Sequence, residues 1–165
     1  MIRLSSALVA AATSCAIAGA ASAQGPNAVA GTWRAVSATA EMNGKTSLPY
    51  GPKPQGKLVF TSDLHFVEFL HDPHIPRFKS DVRGEGTDEE NRAAMAGALA
   101  LYGRYTVDAN GGFSGNTVEG SSFPNWIGDV RTTKELKMEV VGDRMVENFV
   151  RPGGAKVTIV WERLR

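Results

Sequence analysis

The chain has 165 residues, 42% of them hydrophobic, with 18 basic residues against 17 acidic ones. That is enough apolar material for one core, and the length is short for two typical domains. The balanced charge, with no clustered run of Lys and Arg, excludes a nucleic-acid binder that works by neutralising phosphates.

Residues 1–23 differ from everything after them. Arg3 supplies one positive charge, residues 4–20 carry none, and Ala21-Ser22-Ala23 precedes Gln24. This is the layout of a secretory signal peptide with a small-x-small cleavage site. The apolar run, rich in Ala and Ser, falls short of the roughly 20 strongly apolar residues that span a bilayer. The segment therefore reads as cleaved and not as a stable membrane anchor, which leaves a domain of residues 24–165 and places the protein in the periplasm or outside the cell. Cys15, the single cysteine, leaves with it, so no disulfide, thiolate nucleophile or cysteine metal site is expected. The alternative use of Cys15, lipid attachment, meets Ala12-Thr13-Ser14 where a Leu-Ala-Gly type of sequence is usual. Without Arg3 the domain is formally neutral.

After Gly25-Pro26-Asn27 come brief alternating apolar runs punctuated by Gly, Pro, Asn and Asp, the pattern of an antiparallel sheet. The first run, 31–40, puts Trp33, Ala35 and Ser37 on one face and ends at the turn signal Asn43-Gly44. Tyr50-Gly51-Pro52-Lys53-Pro54 reads as a stiff loop, because proline cannot donate to a ladder. Residues 57–61 and 64–71 form a hairpin about Ser62-Asp63. Thr87-Asp88-Glu89-Glu90 has capping-box spacing, and the Ala-rich stretch after it has strong helix propensity, so a helix is expected from Asp88 to about Leu101. Further strands are expected at 104–107, 113–119, 130–141 (as one strand or two), 144–150 and 155–163, the last pair joined by Arg151-Pro152-Gly153-Gly154. The expected fold is mainly β, an antiparallel barrel of about eight strands with one α-helix over its mouth or against its outside.

Several phrases are similar to the lipocalin-like domain family: the opening Gly31-Thr32-Trp33-Arg34, the stretch Tyr50-Gly51-Pro52-Lys53-Pro54-Gln55-Gly56-Lys57, then Tyr102-Gly103-Arg104-Tyr105, Val118-Glu119-Gly120 through Trp126-Ile127-Gly128, and the closing Gly142-Asp143-Arg144 and Trp161-Glu162-Arg163. They span nearly the whole of residues 24–165 in the family's order. Two departures stand out. Asn116 occupies a place where many members have histidine, and the interval from Trp126 to Gly142 is longer than usual, which leaves the match of Arg131 to a common family arginine open. The resemblance implies a lipocalin-like barrel and, by wider analogy, a cavity for a small apolar molecule. Fold alone is a weak warrant for function.

Trp33 and Arg163 should meet where the first and last strands pair, an arginine over an indole sealing one end for roughly 0.5–2 kcal/mol. Along 64–70, alternation sets Phe66 and Glu68 on one face, and His65, Val67 and Phe69 on the other. Glu68 on an apolar face is either a carboxyl held protonated, able to act as general acid, or half of an ion pair with an arginine. The residues proposed to bind ligand are Phe60, Phe66, Glu68, Arg104, Tyr105, Trp126 and Arg131, the arginines fixing orientation. His71-Asp72-Pro73-His74 packs two of the three histidines together, but Pro73 breaks the geometry a zinc site would use, and a solvated loop is expected. No Gly-x-Ser-x-Gly elbow or phosphate-binding loop is present, so no catalytic residue, metal or cofactor is assigned. Three functions fit: a carrier of a small hydrophobic or amphipathic molecule; an isomerase or cyclase using Glu68 or Glu119 as proton donor; and a solid barrel that works through its outer surface or the loop 71–86.

Overall fold

The computed structural model describes residues 26–165. Residues 1–25, with the expected signal segment and Cys15, lie outside the described residues. In chain order the elements are β1 (Gly31–Met42), β2 (Lys45–Ser47), β3 (Gln55–Phe60), β4 (His65–His71), α1 (Asp88–Gly97), β5 (Ala98–Val107), β6 (Phe113–Ser121), a 3₁₀ turn (Pro124–Trp126), β7 (Val130–Thr132), β8 (Leu136–Val141), β9 (Arg144–Val150) and β10 (Lys156–Leu164). The strands run antiparallel in the order β7-β6-β5-β4-β3-β1-β10-β9-β8, with β2 folded back on the end of β1. β8 approaches β6 and β7 across the remaining gap, so the sheet is a nearly closed barrel.

There are ten strands where about eight were expected, because β2 and β7 are three-residue pieces too short for periodicity to reveal. Residues 130–141 divide in two. Thr132 and Glu135 form a tight turn, Glu135 Oε2 accepting from the Thr132 amide at 2.9 Å and the Thr132 hydroxyl at 2.6 Å. β7 then pairs with β6, and β8 with β9. Asn43 and Gly44 both have positive φ, 52° and 72°, which suits the tight hairpin between β1 and β2.

The alternation of β1 breaks once. Its register against β10 shifts between Ala35 and Ser37, so Val36 is bulged outward. The bulge changes the phase. Ser37 leaves the face of Trp33 and Ala35, contrary to the expected alternation, and Ala38 and Ala40 take the inward positions. On β10 the same irregularity leaves Ile159, Val160 and Trp161 buried in succession. β5 and β6 also curve sharply, with a register shift at Tyr102 and Gly103. There a Cβ on Gly103 would sit 2.0 Å from the Thr117 carbonyl oxygen, so only glycine permits the strands to close.

The helix starts where its capping box puts it: Thr87 Oγ1 accepts from the Glu90 amide at 3.3 Å, and Glu90 Oε2 from the Thr87 amide at 2.8 Å. It stops at Gly97, four residues before the expected Leu101. Ala98 to Leu101 are good helix formers, yet they pair with β4 from His71↔Ala98 to Glu68↔Leu101, which buries Leu99 and Leu101 inside the barrel. A helix there would face only one of the two leucines inward, so ladder and burial together override propensity. None of the helix residues is buried; α1 lies against the start of β5 at the rim.

Candidate functional site

The two ends of the barrel are built differently. At the end where β1 begins and β10 finishes, the lead segment 26–30 runs across the opening, its Ala28 amide bonded to the Gly111 carbonyl at 2.8 Å. Trp33, fully buried, donates from Nε1 to the Val29 carbonyl at 2.8 Å. The Arg163 guanidinium lies 4.0 Å from the Trp33 ring centroid, as expected, and it donates to the carbonyls of Ala28, at 2.8 Å, and Ala30. Behind this lid Phe60 stacks edge-on against Tyr105 at 4.7 Å and lies 6.1 Å from Phe66 and 6.3 Å from Phe113. The Tyr105 hydroxyl accepts from Asn27 and donates to the Thr61 carbonyl, both at 2.7 Å. This end is a solid, satisfied plug.

The opposite end is a mouth. Tyr50, from the loop before β3, turns inward and is buried. Around it stand Leu99, Met95 and Ala96 from the helix–strand junction, Phe123 and Trp126 from the β6–β7 connection, and Arg151 and Pro152 after β9, which together line an apolar cleft of about 370 Å³. A second hollow of about 460 Å³ shares Phe123, Trp126, Arg151 and Pro152, and reaches Arg131 and Phe149. Both volumes fall in the range of small-molecule sites. Phe123 stands edge-on to Trp126 at 5.5 Å, and the Arg131 guanidinium caps the Trp126 ring at 4.8 Å while bonding Asp129 at 3.2 Å. A larger hollow of about 680 Å³ opens between the loop residues 77–84 and Asn91 of α1. No buried barrel side chain reaches it, so the mouth is the better-built site.

Between plug and mouth the interior holds buried polar groups. Glu68 on β4 and Glu147 on β9 are 4% and 3% exposed. The Trp161 indole donates to Glu147 Oε2 at 2.9 Å. Burial pushes both carboxyls up, Glu147 to about 7 and Glu68 well above the usual carboxylate range; the negative charge of Glu147 raises Glu68 further, and the positive charge of Arg131 partly offsets both. Asn116 faces inward beside Arg131, its register partner on β7, and its Oδ1 has no hydrogen-bond partner among the described residues. At the rim, Arg151 Nη2 donates to the Tyr50 hydroxyl at 3.2 Å. Burial pushes the Tyr50 phenol up to about 12 despite the nearby guanidinium of Arg151.

The residues proposed from sequence therefore separate. Phe60, Phe66 and Tyr105 belong to the plug. Glu68 lies in the interior, and the ion pair with an arginine does not form: Arg131 bonds Asp129 instead and reaches Glu68 only through its field. Trp126 and Arg131 stand at the mouth. Arg104 is a correction: it projects from the outer face of β5 and pairs with Glu119 at 3.2 Å in solvent, because its neighbours Gly103 and Tyr105 take the inward positions. Glu119, outward for the same reason, is no buried proton donor. Sequence reading missed Tyr50, Arg151 and Glu147. The alternation Met145-Glu147-Phe149 carries the same signal that singled out Glu68. Tyr50 and Arg151 sit beside Gly and Pro turns, where periodicity says nothing about direction.

A family model described as the lipocalin-like domain matches residues 30–163. A 4'-hydroxy-3'-methoxypropiophenone carrier protein of Aspergillus oryzae is 37% identical over 86 residues, covering 48% of this chain and 75% of that protein. Among solved structures, a redesigned β-barrel matches with a TM-score of 0.40 at 15% identity, covering 82% of this chain and 91% of that one.

Proposed function

Because the chain belongs to the lipocalin-like domain family, we propose that it carries a small, largely apolar molecule at the open end of its barrel. The observation that carries this reading is the cleft of about 370 Å³ walled by Leu99, Phe123, Trp126 and Met95, with polar groups confined to Tyr50 and Arg151. A ligand there would be held by burial of apolar surface at about 25 cal/mol per Å², and oriented by the rim. The Aspergillus relative, named as a 4'-hydroxy-3'-methoxypropiophenone carrier protein, supports the same kind of task. Carriage outside the cytoplasm also fits the secretory layout of residues 1–23, and we propose that the working form begins near Gln24. N-terminal sequencing of protein recovered from the periplasm or medium tests that start.

The test of carriage is native mass spectrometry of residues 24–165 with extraction of any bound molecule, followed by calorimetric titration of that molecule into the protein. A stoichiometric ligand whose binding is lost in Trp126→Ala supports the carrier. Binding unchanged in that variant rules out the mouth as the site.

A second reading, an isomerase or cyclase, is favoured by Glu68 alone: a buried carboxyl that burial makes hold its proton more tightly than an ordinary carboxyl is a candidate proton donor. Loss of turnover with retained binding in Glu68→Gln would establish it, and stoichiometric binding without conversion would exclude it.

A further inference from the structure

We propose that the mouth of the barrel selects an organic acid, an aromatic or otherwise apolar body ending in a carboxylate, and that Arg151 with the Tyr50 hydroxyl forms the carboxylate site. This rests on the carrier reading and specifies its ligand.

Several arginines of the barrel pair with acidic side chains. Arg131 at the same mouth bonds Asp129, Arg104 bonds Glu119, Arg163 lies 3.7 Å from Asp143, and Arg34 pairs with Glu162. Among the described residues Arg151 has no carboxylate within ion-pair distance. Its side chain makes one hydrogen bond, to Tyr50, and its Nε is buried without an acceptor. A buried cationic donor left unpaired is costly in an apolar setting, and the cost is recovered when an anion arrives. Tyr50 adds a second donor. Its oxygen takes the hydrogen from Arg151, and the phenol keeps its own proton because burial disfavours the phenolate, so that proton remains to be given. Two donors therefore meet at one rim of the cleft.

The rest of the cleft is apolar: Leu99, Met95, Phe123, Trp126 and Pro152. The acidic groups near it do not substitute for a ligand anion. Glu135, on the neighbouring hollow, is held by Thr132, and Glu68 and Glu147 lie deeper, their charged forms disfavoured by burial. A carboxylate accepts two hydrogens side by side and matches a guanidinium edge, which a ketone or alcohol oxygen does less well.

The experiment loads full-length mature protein with the neutral fluorescent probe N-phenyl-1-naphthylamine and displaces it with trans-cinnamate or with cinnamyl alcohol, which share a ring and chain and differ in charge. Cinnamate should displace the probe at about tenfold lower concentration than the alcohol. Arg151→Gln should abolish that preference and leave the alcohol within about twofold, while Arg151→Lys, a point charge in place of a fork, should keep part of it. Arg104→Gln, on the outer wall, should change neither. Equal displacement by acid and alcohol, or a preference that survives in a folded Arg151→Gln, overturns the carboxylate site and leaves the carrier standing. Failure of the wild type to bind the neutral probe or either displacer overturns the carrier reading, and the acid site with it. A thermal melt of each variant confirms folding, and Tyr50→Phe, which removes only a hydroxyl, provides a second route should Arg151→Gln fail to fold.

Discussion

The closed end of the barrel and its mouth use similar residues to opposite effect. Each has a tryptophan under an arginine, Trp33 beneath Arg163 and Trp126 beneath Arg131, and each has a buried tyrosine, Tyr105 and Tyr50. At the closed end the Tyr105 hydroxyl both accepts and donates, and the Trp33 indole has its carbonyl. At the mouth Arg151 Nε is buried without an acceptor and clefts open beside the aromatic pair Phe123 and Trp126, while the other such atom among the described residues, Asn116 Oδ1, lies in the interior across from Tyr105. Buried polar groups are ordinarily satisfied, and exceptions concentrate where a protein does something. The plug therefore reads as stability and the mouth as function.

That contrast predicts how mutations should divide. The largest effect should come from Trp33→Ala, which empties a fully buried indole from the plug and should cost about 3–5 kcal/mol in urea unfolding. Trp126→Ala at the mouth should abolish ligand binding for a much smaller loss of stability, because Trp126 is only partly buried. If the two variants lost equal stability, the division between ends would fail.

The interior carboxyls give the next effect. A carboxyl whose folded pKa is raised binds its proton more tightly in the native state. Between its unfolded value and its folded one the native protein holds more protons than the unfolded chain, and stability falls as pH rises. For Glu147, raised from 4.5 to about 7, the fall should start near pH 4.5 and level off above pH 7, at up to about 1.4 kcal/mol per pH unit for one proton. Glu68, also raised by burial, should add to the fall with the same sign. Glu147→Gln keeps an acceptor for Trp161 and should flatten its share of the slope, measured as denaturation midpoints across that range.

Tyr105→Phe removes both hydroxyl bonds of the plug and should cost about 1–3 kcal/mol, with ligand binding untouched. Arg104→Ala, at an exposed ion pair on the outer wall, should change stability by less than about 0.5 kcal/mol. A larger loss would mean that the outer face of β5 contributes more than its exposure suggests.

Much of the fold was legible from local pattern. Period-two alternation separated Phe66, Glu68 and Leu70 from Val67 and Phe69, and the structure buries the first three and exposes the other two. The capping box fixed the start of α1, and Asn43-Gly44 fixed a turn. The errors share one cause, a tertiary partner overriding a local preference. Ala98 to Leu101 became strand because β4 offered a ladder and the interior a place for both leucines. Ser37 left its face because a bulge intervened.

The site was legible to a smaller degree. Trp126, Arg131 and Glu68 could be singled out as residue types, but the sequence could not distinguish them from Phe60 and Tyr105, since plugs and cavities draw on the same side chains. By itself the sequence determined the class of fold, the seal between Trp33 and Arg163, and the inward place of Glu68, because strand alternation and the pairing of first and last strands are local or topological rules. Only the tertiary structure decided which end is closed, that Arg104 points to solvent, and that Tyr50 and Arg151 meet. The last two residues come from loops 101 positions apart, whose directions follow from closure of the barrel and not from any repeat along the chain.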